Sequence, residues 1–269
     1  MKFARRQENL PDRAATACHR CPISLLWGFR AVAAPEAAAT GGFSLPTLLI
    51  TGANRGIGLA LARGFAGDGW RVHAGCRQPE RAAELKAVEG DVTLHRLDVT
   101  DGLRVHGLAR ELADEAIDLL VNNAGTFGPR GGFGETDYDE WLKVLAVNTL
   151  APMRMAERFV AQVARSERRQ IVNISSRMGS MANDKGGAYG YRSSKAALNR
   201  VTKGLSADLR DRGITVVALH PGWVQTDMGG VGADITVEAS AAGLRRVIDG
   251  LTPDHSGRFF NYDGEEIAW

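Results

Sequence analysis

No apolar run in the sequence approaches the ~18 residues that a membrane-spanning helix needs, so the chain reads as a soluble protein. Cysteine is almost missing. Three in 269 residues, Cys18, Cys21 and Cys76, make no disulfide framework, which points to a reducing cytoplasm. An excess of one charge is also lacking: with a net charge of +2 and no long basic block, nucleic acid is excluded as the main partner. What remains is 44% hydrophobic and 24% charged residues with 32 glycines, an ordinary globular composition large enough for one sizeable α/β domain.

Residues 1–44 read differently from residues 45–269. Arg5-Arg6, Pro11, Pro22, Pro35 and an alanine-rich run from Ala31 to Ala39 sustain neither a helical nor a strand period. The apolar piece from Ile23 to Phe29 is too short for a secretory core. Cys18-His19-Arg20-Cys21 lacks the second ligand pair of a finger, so no metal site is assigned. A disordered tail, or a start placed too far upstream, is expected here, and its deletion should leave kinetics unchanged.

The stretch around which the rest is organised is Tyr191-Arg192-Ser193-Ser194-Lys195. Four helical steps of about 100° bring Lys195 to within about 40° of Tyr191. An ammonium beside a phenol favours phenolate. Moving a tyrosine from about 10 to about 7 takes about 4 kcal/mol, which one charge at about 4 Å and an effective dielectric of about 20 supplies. The pair is thus a candidate proton donor and acceptor near neutral pH. Tyr189 competes, but six residues from Lys195 it sits about 120° away around the helix.

A short apolar run, Leu48-Leu49-Ile50, leads into Thr51-Gly52-Ala53-Asn54-Arg55-Gly56-Ile57-Gly58, and a helical period follows through Leu61, Ala62, Phe65 and Ala66. Strand, glycine turn and helix make a dinucleotide-binding start. Gly52 and Gly56 let the backbone approach a pyrophosphate, Gly58 lets the helix pack on the strand, and the helix N-terminus meets the negative charge. A second strand over 71–76 ends at Arg77 with no acidic residue to take a ribose hydroxyl. Arg55 and Arg77 together suit a 2′-phosphate, hence NADP(H).

Helical residues from Glu80 to Val88 and a third strand, 92–97, come next. Asp98 either accepts from an adenine amino group, with Val99 as apolar wall, or caps the next helix with Thr100 or Asp101. A fourth strand over 117–121 runs into Asn122-Asn123-Ala124-Gly125, small enough to pass close to the cofactor. Asn148 follows a helical stretch over 141–147 and precedes Pro152. It is either a mild defect or kink, or a buried amide that together with a freed backbone carbonyl holds a water near Lys195. A fifth strand, 170–174, delivers Ser175-Ser176 at its carboxyl end, where open parallel sheets place ligands. Strands over 214–219 and 258–262, with a helix over 237–248 between them, complete the chain.

Together Thr51-Gly52-x-x-x-Gly56-x-Gly58, Asn122-Asn123-Ala124-Gly125, Asn148, Ser175-Ser176, Tyr191-x-x-x-Lys195 and Pro221-Gly222 resemble the short-chain dehydrogenase/reductase family from about residue 47 to 269. The resemblance implies a single doubly wound, Rossmann-type domain with a seven-stranded parallel sheet. It implies a catalytic tetrad of Asn148, Ser176, Tyr191 and Lys195. It implies cofactor contacts from Gly52, Asn54, Arg55, Gly56, Ile57, Gly58, Arg77, Asp98, Val99, Asn123, Ala124 and Gly125, with Pro221, Gly222, Val224 and Thr226 at the nicotinamide end. A carbonyl or alcohol substrate and a homodimer or homotetramer come with it. Ser176-Arg177-Met178-Gly179-Ser180 and the ending Gly264 to Trp269 are similar to the C-factor and sniffer-type carbonyl reductase branch. The alternative from another class is a nucleotide-binding signalling or scaffold protein with incidental turnover.

Overall fold

The computed structural model describes residues 45–269, and the expectations for residues 1–44 lie outside the described residues. Seven strands form one parallel sheet: β1 (Thr47–Thr51), β2 (Arg71–Cys76), β3 (Val92–Arg96), β4 (Leu119–Asn122), β5 (Gln170–Ile174), β6 (Thr215–His220) and β7 (Phe259–Asn261). Their order is β3-β2-β1-β4-β5-β6-β7. The register is set from the middle outward, Leu49 lying opposite His73 on one side and Leu120 on the other. Central strands buried on both faces need continuous apolar runs, and β1, β4 and β5 are buried along their whole length.

Successive side chains leave a strand on opposite faces, so each strand feeds two cores. Leu48 and Ile50 pack with Phe65, Val72, Val172 and Leu244, under α1 (Gly56–Gly67) and α7 (Val237–Asp249). Leu49, between them, packs with Leu120, Ile171, Met155, Phe159 and Leu205, under α3 (Gly102–Glu111), α5 (Ala151–Arg165) and α6 (Tyr189–Asp208). Phe159 is fully buried, and truncating such a ring to alanine costs about 3–5 kcal/mol. Helices on both faces of a parallel sheet give the doubly wound architecture. The sheet reverses its winding between β1 and β4, and ligands bind outside the carboxyl ends at such a point.

Two stretches depart from the pattern read in the sequence. The expected helix over 80–88 is a 3₁₀ turn, Pro79–Arg81, and a single α-turn, α2 (Ala83–Lys86). The helix expected to stop at Val147 begins earlier, as α4 (Tyr138–Leu145), and does not stop there. It widens into a π turn, Ala146–Leu150, and continues as α5. Pro152 is tolerated because it lies in the first turn of α5. Among the described residues no helix is long and apolar enough to cross a membrane.

Candidate active site

The glycine turn after β1 is lashed to the end of β4. Thr51 Oγ1 accepts from the backbone N–H groups of Asn123 and Ala124 at 3.1 and 3.0 Å. Asn123 Nδ2 donates to the carbonyls of Thr51 and Gly52 at 2.9 and 3.0 Å. The approach leaves no room for side chains: a Cβ on Gly52 would lie 2.9 Å from Ala124 Cα, and one on Gly58 would lie 2.4 Å from Asn123 Nδ2. Gly52 also has φ of +67°, where a side chain is strained. Arg55 and Asn54 are exposed, Ile57 packs on the first core, and no side chain caps the N-terminus of α1. Those unpaired first-turn N–H groups suit a phosphate.

Across from this turn, Pro221 and Gly222 follow β6, with the Pro221 carbonyl accepting from Ser240 Oγ at 2.6 Å. Val224 is buried, and Thr226 Oγ1 accepts from the Gly229 N–H at 3.1 Å. A Cβ on Gly56 would lie 3.4 Å from Thr226 Cγ2, so the two segments face each other. Arg77 is exposed just past β2. Asp98 Oδ1 accepts from the N–H and hydroxyl of Thr100, at 2.9 and 2.6 Å, which with the nearby Arg77 cation holds its carboxyl below the usual range. The cap of α3 is Asp101, and Val99 is buried beside it.

The serine pair after β5 divides its work. Ser175 Oγ donates to Asn199 Oδ1 at 2.5 Å, while Ser176 Oγ accepts only from the Met178 N–H, at 3.2 Å. The turn that follows is pressed on α6, since a Cβ on Gly179 would lie 2.6 Å from the Lys195 carbonyl carbon. Helix α6 enters through Ala188 at φ 46° and ψ 42°, a left-handed conformation that costs a non-glycine residue about 1–2 kcal/mol. Backbone strain of this kind collects at functional sites.

Tyr191 and Lys195 share the buried face of α6 as the spacing requires, being 8% and 5% exposed, with the ammonium 5.8 Å from the phenol ring centre. The direction of the titration differs from the expectation. Burial holds the Tyr191 phenol above its ordinary value, with the Ser176 hydroxyl pulling the other way, and burial brings Lys195 down to about 8. The ammonium donates to the Ile174 carbonyl at 2.7 Å. Desolvation disfavours both charges here, and it outweighs the attraction assumed from spacing alone.

Asn148 sits in the π turn with no exposure at all. Its Nδ2 donates to the Thr126 carbonyl at 2.8 Å and to Ser194 Oγ at 2.9 Å, and its Oδ1 accepts from the Thr126 N–H at 2.9 Å. Gly125 marks the meeting point: a Cβ there would lie 3.4 Å from Asn148 Oδ1 and 3.8 Å from Lys195 Nζ.

A glycine cradle, an uncapped helix and a buried Ser–Tyr–Lys group thus share the carboxyl edge of the sheet, and the sequence model of the family described as short chain dehydrogenase matches residues 46–234. The chain belongs to the short-chain dehydrogenase family. Among its relatives in the family, C-signal of Myxococcus xanthus is 44% identical over 166 residues, 61% of this chain and 100% of the relative. The carbonyl reductase Sniffer of D. melanogaster superposes with a TM-score of 0.79 at 33% identity, covering 84% of this chain and 100% of its own. An NADPH-bound carbonyl reductase from chicken fatty liver gives a TM-score of 0.78 at 34% identity, covering 84% and 99%.

Several residues that hold these groups in place were given no role of their own from the sequence, though Asn122 was read as part of the Asn122 to Gly125 motif. Ser194 Oγ accepts from Asn148 Nδ2 and donates to the Tyr191 carbonyl at 2.7 Å; Thr149 Oγ1 donates to the Ser194 carbonyl at 2.8 Å. Asn122, Asn173 and Thr202 form a buried amide ladder across β4, β5 and α6, with links of 2.8 and 2.9 Å. Phe127 lies face to face on Tyr191, ring centres 4.4 Å apart. Only the two strand-interior asparagines carried a signal, because an amide in an otherwise apolar run needs a buried partner.

Proposed function

We propose that the protein is an NADP(H)-dependent oxidoreductase that moves a hydride between nicotinamide and a carbonyl or alcohol substrate. The observation that carries this reading is the convergence of Ser176, Tyr191, Lys195 and Asn148 next to Gly125, at the carboxyl edge of the sheet. The glycine cradle and the uncapped start of α1 fit a pyrophosphate, and Arg55 and Arg77 fit a 2′-phosphate. NADPH bound there supplies the hydride.

Ser176 donates to the carbonyl oxygen, and Tyr191, neutral at pH 7 because burial raises its pKa, gives that oxygen its proton. Lys195, at about 8, is cationic at pH 7 and steadies the phenolate left behind. Asn148 has its side chain engaged with Thr126 and Ser194, so a proton-resupplying water falls to a main-chain carbonyl freed by the π turn. Aimed donors of this kind are worth about 3–4 kcal/mol each. Tyr191→Phe should therefore lower turnover by about 10²–10³-fold with NADPH affinity unchanged. Undiminished turnover would overturn the scheme. A homodimer or homotetramer and a cytoplasmic location are parts of the same proposal.

The likeness to C-signal favours a second reading, a nucleotide-binding signalling protein. Oxidation of NADPH against aldehydes, ketones and quinones separates the two: silence across the panel with micromolar NADPH binding supports the second.

A further inference from the structure

The segment between β4 and α4 belongs to no strand or helix, yet it covers the site. Phe127 stacks on the Tyr191 ring at 4.4 Å between centres and 17° between planes. The Arg130 guanidinium lies over the Phe127 ring, 4.3 Å from its centre. Arg130 Nη2 also donates to the Met228 carbonyl at 2.8 Å, joining this segment to the one after β6. Each segment carries glycines at positive φ, Gly128 and Gly134 in one and Gly222 and Gly230 in the other. Gly128 and Gly222 are packed closely, a Cβ on them lying 2.4 Å from Val144 and 2.5 Å from Ile235, so the two segments are held in this shape. On the far face, Trp141 Nε1 donates to Ser193 Oγ at 2.8 Å and holds the first turns of α6.

We propose that Phe127 is a positioning residue for the Tyr191 phenol, and that Arg130 is the latch that keeps it there by bridging to the Met228 carbonyl. Phe127 excludes water from one face of the tyrosine and fixes the plane of its ring, so the hydroxyl is presented in a single direction. Arg130, stacking and bonding at once, ties the segment after β6 to that placement. This rests on the reading of Tyr191 as the proton donor. Burial and the Ser176 hydroxyl act on the phenol, and Lys195 lies 5.8 Å from its ring centre on the same helix. Arg130 stacks on the neighbouring Phe127, and His220, brought down to about 4, is neutral at pH 7.

The test uses the full chain and reads the tyrosine directly. The sequence has four tyrosines, so the near-ultraviolet phenolate titration of each variant, less that of the same variant carrying Tyr191→Phe, isolates Tyr191. With Phe127→Ala the titration should move down by about one pH unit as water reaches the ring, and Phe127→Trp should restore it. Arg130→Lys, which keeps the cation but loses the flat guanidinium stacked on Phe127, should give a smaller shift in the same direction. In NADPH-dependent reduction of phenanthrenequinone and hexanal, Phe127→Ala should lower kcat about tenfold with KM for NADPH unchanged, and the basic limb of the pH profile should follow the titration. An unmoved Tyr191 titration in Phe127→Ala, in protein whose circular dichroism matches the parent, would overturn the proposal. Absence of turnover in the parent protein would instead count against the oxidoreductase reading and leave the titration result standing by itself.

Discussion

Arg55 Nη1 donates to Asp227 Oδ2 at 2.6 Å, bridging the glycine turn and the segment after β6 beside the proposed cofactor site. Both side chains are well exposed, at 68% and 76%, and such a surface pair is worth about 0–1 kcal/mol. A phosphate dianion competes easily for that guanidinium.

Removing Asp227 should therefore free Arg55. Asp227→Ala is expected to tighten NADPH binding about two- to fivefold while leaving NADH unchanged, within the range of a lost surface pair. Arg77→Asp should reverse the preference, because it replaces a cation by an anion beside the 2′ position. Fluorescence titrations with both nucleotides measure each outcome, and equal NADPH and NADH affinity in the parent would remove the arginine argument.

Lys195 is stabilised in neither sense by its surroundings except through one carbonyl. Its folded pKa of about 8 lies below the unfolded value, so the unfolded chain holds the proton more tightly. The full penalty, about 3 kcal/mol, is present below pH 8 and fades as pH rises toward 10.5. Lys195→Met gives up the bond to Ile174 but removes that penalty. The variant should be inactive and, at pH 7, more stable by about 1–3 kcal/mol in urea unfolding.

Acid should act through a different residue. Burial, with the Arg177 and Lys195 cations adding to it, brings His220 down to about 4, and burial also lowers His73 and His95. An unfolded histidine takes its proton near 6.5, so the contribution present at neutral pH is lost as pH falls from about 6.5 to about 4. Between pH 7 and pH 5 the His220 share is about 2 kcal/mol. His220→Asn should flatten the urea midpoint over that interval, with the slope due to His73 and His95 remaining.

Asn148 should matter to the fold as well as to turnover. Alanine there leaves the Thr126 N–H and carbonyl and the Ser194 hydroxyl without their partner, which costs about 2–4 kcal/mol for a buried network. If the residue only held a water, Asn148→Ala would unfold at the urea concentration of the parent.

The sheet was legible because its chemistry is local. Fully buried parallel strands are mostly apolar runs, as Leu48 to Ile50 in β1 shows. The glycine turn announced itself because Gly52 and Gly58 stand where any side chain would collide with Ala124 or Asn123. The π turn showed only as a kink at Asn148; that its amide reaches Ser194, 46 positions later, is recorded in no local pattern.

By itself, then, the sequence determined the order of elements and the helical spacing that sets Tyr191 and Lys195 on one face, because propensity and periodicity act over a few neighbouring residues, while the doubly wound class came with the family resemblance of its motifs. The direction of the Tyr191 and Lys195 shifts, the partner of Arg55 and the ring stacked on Tyr191 were decided only in three dimensions. Desolvation and contact depend on what distant segments bring to a point, and Phe127 reaches Tyr191, as Asp227 reaches Arg55, across a fold that no window of the chain contains.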